Sequence, residues 1–342
     1  MKKLLNTLYV TSPDAYISRD GMNIVVSSQK KEIGRIPIHN LQSIICFGYA
    51  GASPAAMNLC VTNNVLMSFL THHGRFQASV VGETCGNVLL RRNQYRMADD
   101  FQRSLGISKN IVKAKIHNSR QILRKGRNDH KTDVNLKRVE DVISMLTSKI
   151  QSVDFCDDAN VLRGLEGDAA KVYFSGIDEL ILKGKDEFFI HGRNRRPPTD
   201  KMNSLLSFLY TLLANDVRSA LESVGLDSHV GFLHTDRPGR ASLALDIMEE
   251  FRPTADRLAL NLVNLRKISS EGFIEKENGS VIMTDETRKI VIENWQNKKQ
   301  DEIKHPFLEE RIQIGLIPHV QSMLLARYLR GDLDGYPPFI IK

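Results

Sequence analysis

The sequence predicts an α+β protein, with a small β-rich domain over residues 1–100 followed by a larger all-helical domain over residues 101–342. Three observations predict it. Apolar residues pass from short β-like runs to helical spacing near residue 100. Charge density changes at the same place, with 16 charged residues in the first 100 positions and 71 in the remaining 242. A chain of 342 residues is also too long for one ordinary small core, so two domains are expected.

In the first half, β-like runs occur at Leu8-Tyr9-Val10, Met22 to Val26, Ile33 to Ile38, Ser43 to Phe47, Leu66 to Leu70 and Phe76 to Val81. Turn formers separate them, among them Asp20-Gly21, His73-Gly74 and Gly82. One helix fits between Ser53 and Asn63, with Ser53 as N-cap and Pro54 in the first turn. In the second half, helical spacing is seen over Ile111–Leu123, Val139–Ile150, Ala169–Phe174, Met202–Val224, Leu243–Phe251, Ala255–Leu265 and Val320–Leu329. A strongly basic loop from Phe188 to Asp200 interrupts these helices.

Hydrophobic residues make up 42% and charged residues 25%, the balance of a soluble globular protein. No apolar run approaches the roughly 18 residues a membrane helix needs, so no membrane partner is expected. The start, Met1-Lys2-Lys3-Leu4-Leu5, resembles a secretory signal but meets Asn6, Thr7, Ser12, Pro13 and Asp14 before a long apolar region forms. The expected location is the cytoplasm. Cys46, Cys60, Cys85 and Cys156 have no CxxC pairing, which gives neither a zinc cage nor a disulfide framework. The net charge of +7 suits a polyanionic partner without identifying one.

The chemistry-bearing residues lie in three separated segments. In Ser242 to Pro253, Ser242 is expected to cap a helix on which Asp246, Glu249 and Glu250 crowd one face. Like charges at that spacing destabilise a helix unless a cation offsets them, although a solvated acidic face is equally compatible with the pattern. His234 enters a Gly/Pro loop that leads into this helix, and an imidazole beside carboxylates makes a divalent-metal donor set. Glu166 lies between Gly164 and Gly167 at an expected helix start, where an acid is also favoured by the helix dipole alone.

These segments carry a resemblance. Glu166-Gly167 with Ala169-Ala170 and Tyr173-Phe174 comes first, then Arg195 to Asp200 with Asn203 to Ser207. Gly231-Phe232-Leu233-His234, Ser242 to Pro253 and the closing Tyr336-Pro337-Pro338-Phe339 follow. In this order they resemble the universal CRISPR-associated integrase ("Cas one") in its type I-C form. The resemblance implies a helical catalytic domain, a homodimer formed through residues 1–100, and a small ferredoxin-like CRISPR partner protein ("Cas two"). It implies a divalent metal, Mn2+ or Mg2+, held by Glu166, His234 and Glu249, with Asp246 a further catalytic acid near the metal. Many relatives have Asp where this sequence has Glu249. The implied reaction is attack by the 3′-hydroxyl ends of a short double-stranded DNA spacer on phosphodiesters bordering a CRISPR repeat. Water in the place of that hydroxyl gives endonuclease activity.

Basic residues suit such a substrate. Lys113, Lys115, Arg120, Arg124, Lys125 and Arg127 lie on or just after one helix, and Arg193, Arg195, Arg196, Arg237 and Arg240 flank the metal motifs. Of these, Arg120, Arg124, Arg195, Arg196, Arg237 and Arg240 are the expected DNA contacts, acting on phosphates rather than base edges. Two other functions remain open on the residues alone. One is a metal-dependent hydrolase of small nucleotides, which lacks a GxxxxGK[ST] phosphate loop here; the other is a non-catalytic DNA-binding scaffold.

Overall fold

Two sheets and one helix make up the amino-terminal part of the chain. The computed structural model describes residues 6–12, 14–48, 50–71, 76–80, 82, 88–130, 134–194 and 197–341. The elements in order are β1 (Asn6–Val10), β2 (Ala15–Asp20), β3 (Asn23–Ser28), β4 (Lys31–Pro37), β5 (Leu41–Phe47), β6 (Gly51–Ala52), α1 (Pro54–Thr62), β7 (Leu66–Leu70) and β8 (Phe76–Val80). One sheet has the order β4-β3-β2-β6 and the other β1-β5-β7-β8. Gly21, at φ 58°, makes the two-residue turn between β2 and β3. The expected cap of α1 is present, Ser53 Oγ accepting from Ala56 N at 3.2 Å. Strand β2 escaped the sequence patterns because only Ala15 and Ile17 of its six residues are buried.

Strand β5 reads as an unbroken apolar run, Ile44-Ile45-Cys46-Phe47, because both its faces are covered. Ile44 and Cys46 join Ile17, Ile24, Met67, Leu59 and Cys60 in the core of the β-rich part. Ile45 and Phe47 point the other way, into the core of the helical part. Cys46, Cys60 and Cys156 are buried free thiols, and burial pushes Cys46 and Cys60 up to about 12. Cys85 lies outside the described residues.

The rest of the chain is built from α2 (Val88–Asp99), α3 (Phe101–Asp129), α4 (Leu136–Asp154), α5 (Ala159–Ile177), α6 (Lys201–Ser223), α7 (Ser242–Met248), α8 (Arg252–Asn264), β9 (Phe273–Glu275), β10 (Val281–Met283), α9 (Asp285–Gln300), β11 (Glu302–Lys304), β12 (Arg311–Gln313) and α10 (Ile317–Arg330). The helical part thus also carries two short antiparallel hairpins, β9–β10 and β11–β12. Helix α2 precedes residue 101 but packs with the helices, Leu90 entering their core. Acid or amide side chains cap the principal helices, namely Asp100 for α3, Asn135 for α4, Asp158 for α5 and Asp200 for α6, each satisfying donors the first turn leaves open.

A buried polar cluster joins the two parts. Lys299 Nζ of α9 donates to Asp216 Oδ1 of α6 at 3.0 Å and to Thr7 Oγ1 of β1 at 3.2 Å. Trp295 Nε1 donates to Asp216 Oδ2 at 3.0 Å. The closing segment runs beside α3, with Asn118 Nδ2 donating to Phe339 O at 2.9 Å and Ile341 N donating to Asn118 Oδ1 at 2.8 Å.

Candidate active site

Glu166, His234 and Glu249 line one cavity of about 330 Å³, together with Lys115, Tyr173, Arg193, Tyr210, Arg252 and Asp256. The residues arrive on α3, α5, α6, α8, the loop before α6 that carries Arg193, and the loop and turn around α7. Glu166 is the eighth residue of α5, mid-helix rather than at the helix start expected for it. The dipole of a helix N-terminus therefore does not account for this acid.

His234 is fixed by Asp246. The buried Asp246 carboxylate accepts from the backbone N–H of Phe232 (2.6 Å), Leu233 (3.0 Å) and His234 (3.0 Å), and contacts His234 Nδ1 at 2.6 Å. With Nδ1–H donated to Asp246, Nε2 is the atom left for a ligand. The loop can close this far only at a glycine, because a Cβ on Gly231 would meet Asp246 Oδ2 at 2.7 Å and Ser242 C at 2.9 Å. Ser242 is the first residue of α7 rather than its cap, which is Ala241. Its hydroxyl donates instead to Thr235 O at 3.2 Å.

The three acids of the 242–253 segment do not share a face. Helix α7 ends at Met248, and Glu249, Glu250 and Phe251 continue with tighter i→i+3 bonds. Pro253, in the first turn of α8, supplies no N–H and its ring obstructs the carbonyl four residues back, so a continuous helix cannot pass. Asp246 turns to the His234 loop and Glu249 to the cavity. Glu250 is buried elsewhere, accepting from Tyr336 Oη (2.7 Å), Phe339 N (2.7 Å) and Gln321 Nε2 (3.1 Å). Burial pushes the Glu250 carboxyl up to about 8 against those bonds.

Glu249 behaves oppositely. Burial works to raise it, but Arg252, then Lys115 and His234, hold its carboxyl at about 2. Its Oε2 lies 2.6 Å from Lys115 Nζ and 2.8 Å from Arg252 Nε, yet neither contact has hydrogen-bond geometry. Lys115 Nζ also pairs with Glu166 Oε1. Burial opposes the Lys115 charge, but Glu249 and Glu166 keep its pKa above the ordinary value. Below these groups, Asp256 accepts from Tyr173 Oη at 3.0 Å and Tyr210 Oη at 2.5 Å. Burial raises it to about 6 despite both hydroxyls. Arg252 and Arg193 stack on the Tyr210 ring at 4.6 and 5.2 Å.

Among the described residues, no three His, Cys, Asp or Glu side chains stand close enough to hold an ion as placed. The chemistry of the donor set nevertheless fits one. Glu249 Oε2 is a buried carboxylate oxygen without a hydrogen bond, Nε2 of His234 is the uncommitted nitrogen, and a Lys115 cation already sits between Glu166 and Glu249.

The expected DNA contacts divide. Arg195 and Arg196 lie outside the described residues. Arg237 is exposed and Arg240 half-buried on the loop after His234. Arg120 is half-buried on α3 and donates to Thr147 Oγ1 of α4 at 3.0 Å. Arg124 reaches only Gln121 Oε1 of its own helix, at 3.5 Å. Lys113 pairs with Asp154, and Arg127 lies 3.7 Å from Glu140. Sequence reasoning grouped Lys115 with this basic face. The signal against that grouping was its place at i+4 from Ile111 and i−4 from Ser119, both buried. Tyr173, Tyr210 and Asp256 were missed as site residues because each sits at a core-facing helical position.

Comparison with known proteins places this geometry in a family. The family model described as "CRISPR associated protein Cas1" matches residues 8–297. The chain belongs to the Cas1 family. A Chlorobaculum tepidum protein named CRISPR-associated endonuclease Cas1 1 is 46% identical over 341 residues, covering 99% of each chain. A Rhodospirillum rubrum Cas1 endonuclease is 46% identical over 347 residues, covering 100% of each. The chain is accordingly an enzyme of the endonuclease class. Among solved structures, a CAS1 protein from Thermotoga maritima shares the fold at TM-score 0.81 and 24% identity, covering 98% of this chain and 100% of that one. A casposase bound to integration product shares it at TM-score 0.83 and 22% identity, covering 97% and 93%. No helix of the described residues is long and apolar enough to cross a membrane.

Proposed function

We propose that this Cas1-family chain is the integrase of CRISPR adaptation, joining the 3′-hydroxyl ends of a short double-stranded DNA to phosphodiesters of a CRISPR repeat. The observation that carries the proposal is that Glu166, His234 and Glu249, from three separated segments, line one cavity with Arg193 and Arg252. Glu166, Nε2 of His234 and Glu249 are the proposed holders of Mn2+ or Mg2+, with Asp246 fixing the histidine ring. When bound, such an ion neutralises charge on the phosphoryl oxygens and lowers the pKa of the attacking hydroxyl.

The chain's own groups do the rest. Arg193 and Arg252, braced on Tyr210, place positive charge at the cavity wall for a phosphodiester. The Asp256 carboxyl locks both tyrosines and so fixes the floor. Arg124, Arg195, Arg196, Arg237 and Arg240 are proposed to position DNA outside the cavity, whereas Arg120, expected from the sequence to join them, is tied to Thr147 of α4. The type I-C assignment is proposed on the order of the sequence motifs from Glu166-Gly167 to Pro253 taken together.

Residues 1–100 are the proposed dimerisation domain, and the helical domain from residue 101 the catalytic one. Edge strand β4 leaves Ile33 56% exposed, and Met22 in the β2–β3 turn is 53% exposed; apolar groups at a sheet edge need covering. The working complex is proposed to include the ferredoxin-like partner ("Cas two") and to act in the cytoplasm.

The test is an integration assay with the partner protein on a repeat-containing plasmid. Glu166→Ala, His234→Ala and Glu249→Ala should each abolish integration and nuclease activity, with DNA affinity and fold retained. Full activity in any of the three overturns the ligand set. Light scattering should give twice the chain mass at micromolar concentration; a monomer there overturns the dimer.

A further inference from the structure

Lys115 lines the cavity but has no part in the chemistry proposed above. It projects from α3 between two acids on other elements, pairing with Glu166 of α5 and lying 2.6 Å from Glu249 Oε2. Its side chain is 13% exposed and that of Glu249 3%. Two carboxylates facing one small space, one of them buried, repel each other and lose hydration, so they are tolerated only around a cation. An ammonium is suited to this, being a compact charge with three donors.

Two cations reach Glu249, and they are not equivalent. Arg252 is half-buried, follows Glu249 in sequence by three residues, and is stacked on Tyr210. That stack holds its planar guanidinium in place. Lys115 hangs on a flexible four-carbon stem beside a cavity of about 330 Å³. A divalent ion held by Glu166 and Glu249 would occupy the ammonium's place, and the two cations repel at contact distance.

We propose that Lys115 is a built-in counter-ion of the Glu166–Glu249 pair, and that a divalent metal enters this site only by expelling it. The proposal rests on the ligand set given above. Metal loading is then an exchange of one cation for another, and the site never presents two bare facing carboxylates. The displaced ammonium swings into the cavity.

The exchange is tested on the full chain by Mn2+ titration followed by electron paramagnetic resonance, and by melting without metal. Lys115→Gln removes the competing charge, so Mn2+ should bind about tenfold more tightly, the effect of relieving roughly 1.4 kcal/mol of repulsion between neighbouring cations. The metal-free variant should melt lower than wild type and gain more on adding Mn2+. Lys115→Arg keeps the charge and grips carboxylates as a fork, so Mn2+ should bind more weakly than to wild type. A merely structural lysine would shift both variants in the same direction, and that result overturns the proposal. Glu249→Gln separates the two levels of argument. Mn2+ binding that survives Glu249→Gln overturns the ligand set and the exchange together. Binding lost in Glu249→Gln but not tightened in Lys115→Gln overturns the exchange alone.

Discussion

Glu249 and Glu250 are neighbours in sequence with opposite electrostatics, and the difference lies in what each side chain meets. Glu249 meets Arg252 and Lys115 and is held ionised at about 2. Glu250 meets only neutral partners and is pushed to about 8. The sign of the consequence for Glu250 follows from linkage. Its folded pKa lies above the ordinary 4.5, so its contribution is fully present below pH 4.5 and is lost as pH rises through 8. Glu250→Gln keeps a neutral group of the same shape, with its amide donating to Tyr336. That variant should lose this part of the pH dependence and melt higher than wild type at pH 9, by a margin that shrinks toward pH 5. Melting curves across that range check it; parallel curves for the two proteins would show that Glu250 is ionised in the fold. The pair also shows where sequence reasoning stops. Residue types and spacing raised Glu166, His234 and the acids Asp246, Glu249 and Glu250, and the family resemblance selected Glu166, His234 and Glu249; these three line the cavity while Asp246 fixes the histidine. Adjacent residues on a helix differ by about 100°, so spacing alone turns Glu250 away from Glu249; what spacing does not contain is the buried set of Tyr336, Gln321 and Phe339 that receives it.

At the scale of elements, α3 does three jobs. Its apolar stripe packs into the helical core, Lys115 enters the cavity, and Asn118 holds the closing segment. Its remaining basic residues are unequal candidates for DNA. Arg120 is engaged with Thr147 and His117, whereas Arg124 has one long contact within its own helix. Arg124→Gln should therefore weaken binding to all DNA sequences alike and reduce the slope of log K against log salt by about one. Arg120→Gln should leave that slope unchanged and lower the melting temperature, because it unties α3 from α4. Binding titrations at several salt concentrations distinguish the two; an unaltered slope in Arg124→Gln would assign the whole face to structure. Helix positions were legible from periodicity wherever one face is apolar over several turns, as in α3, α4 and α6. Helices α2 and α9 and the two hairpins were not, since α2 and α9 carry many charges and the strands are three residues long.

For the whole molecule, the Lys299–Asp216–Thr7 cluster decides how the parts are joined. Among the described residues, each charge is paired with the other and otherwise meets neutral donors or acceptors, with both side chains buried. Removing one member leaves the other uncompensated, which costs about 3–5 kcal/mol. Lys299→Met should be destabilised to that extent by urea unfolding, and Asp216→Asn added to it should recover part of the loss. A double variant no more stable than Lys299→Met would show that packing, and not charge, sets the cost. The change near residue 100 in period and charge was visible in the sequence, but the shared burial across it was not. Neither a lone lysine in the charge-rich α9 nor a lone threonine near the start announces a partner almost three hundred positions away.

Strand β5 has a consequence for motion. Its alternate side chains are clamped in two different cores, so turning one part against the other would pull either Ile44 and Cys46 or Ile45 and Phe47 out of their sockets. A hinge needs a wet, slack segment, and this strand is neither. The catalytic cavity is therefore rigidly keyed to the outer face of the β-rich sheets. Any protein that grips that face orients the cavity as a wrench orients a bolt, with no lost motion between.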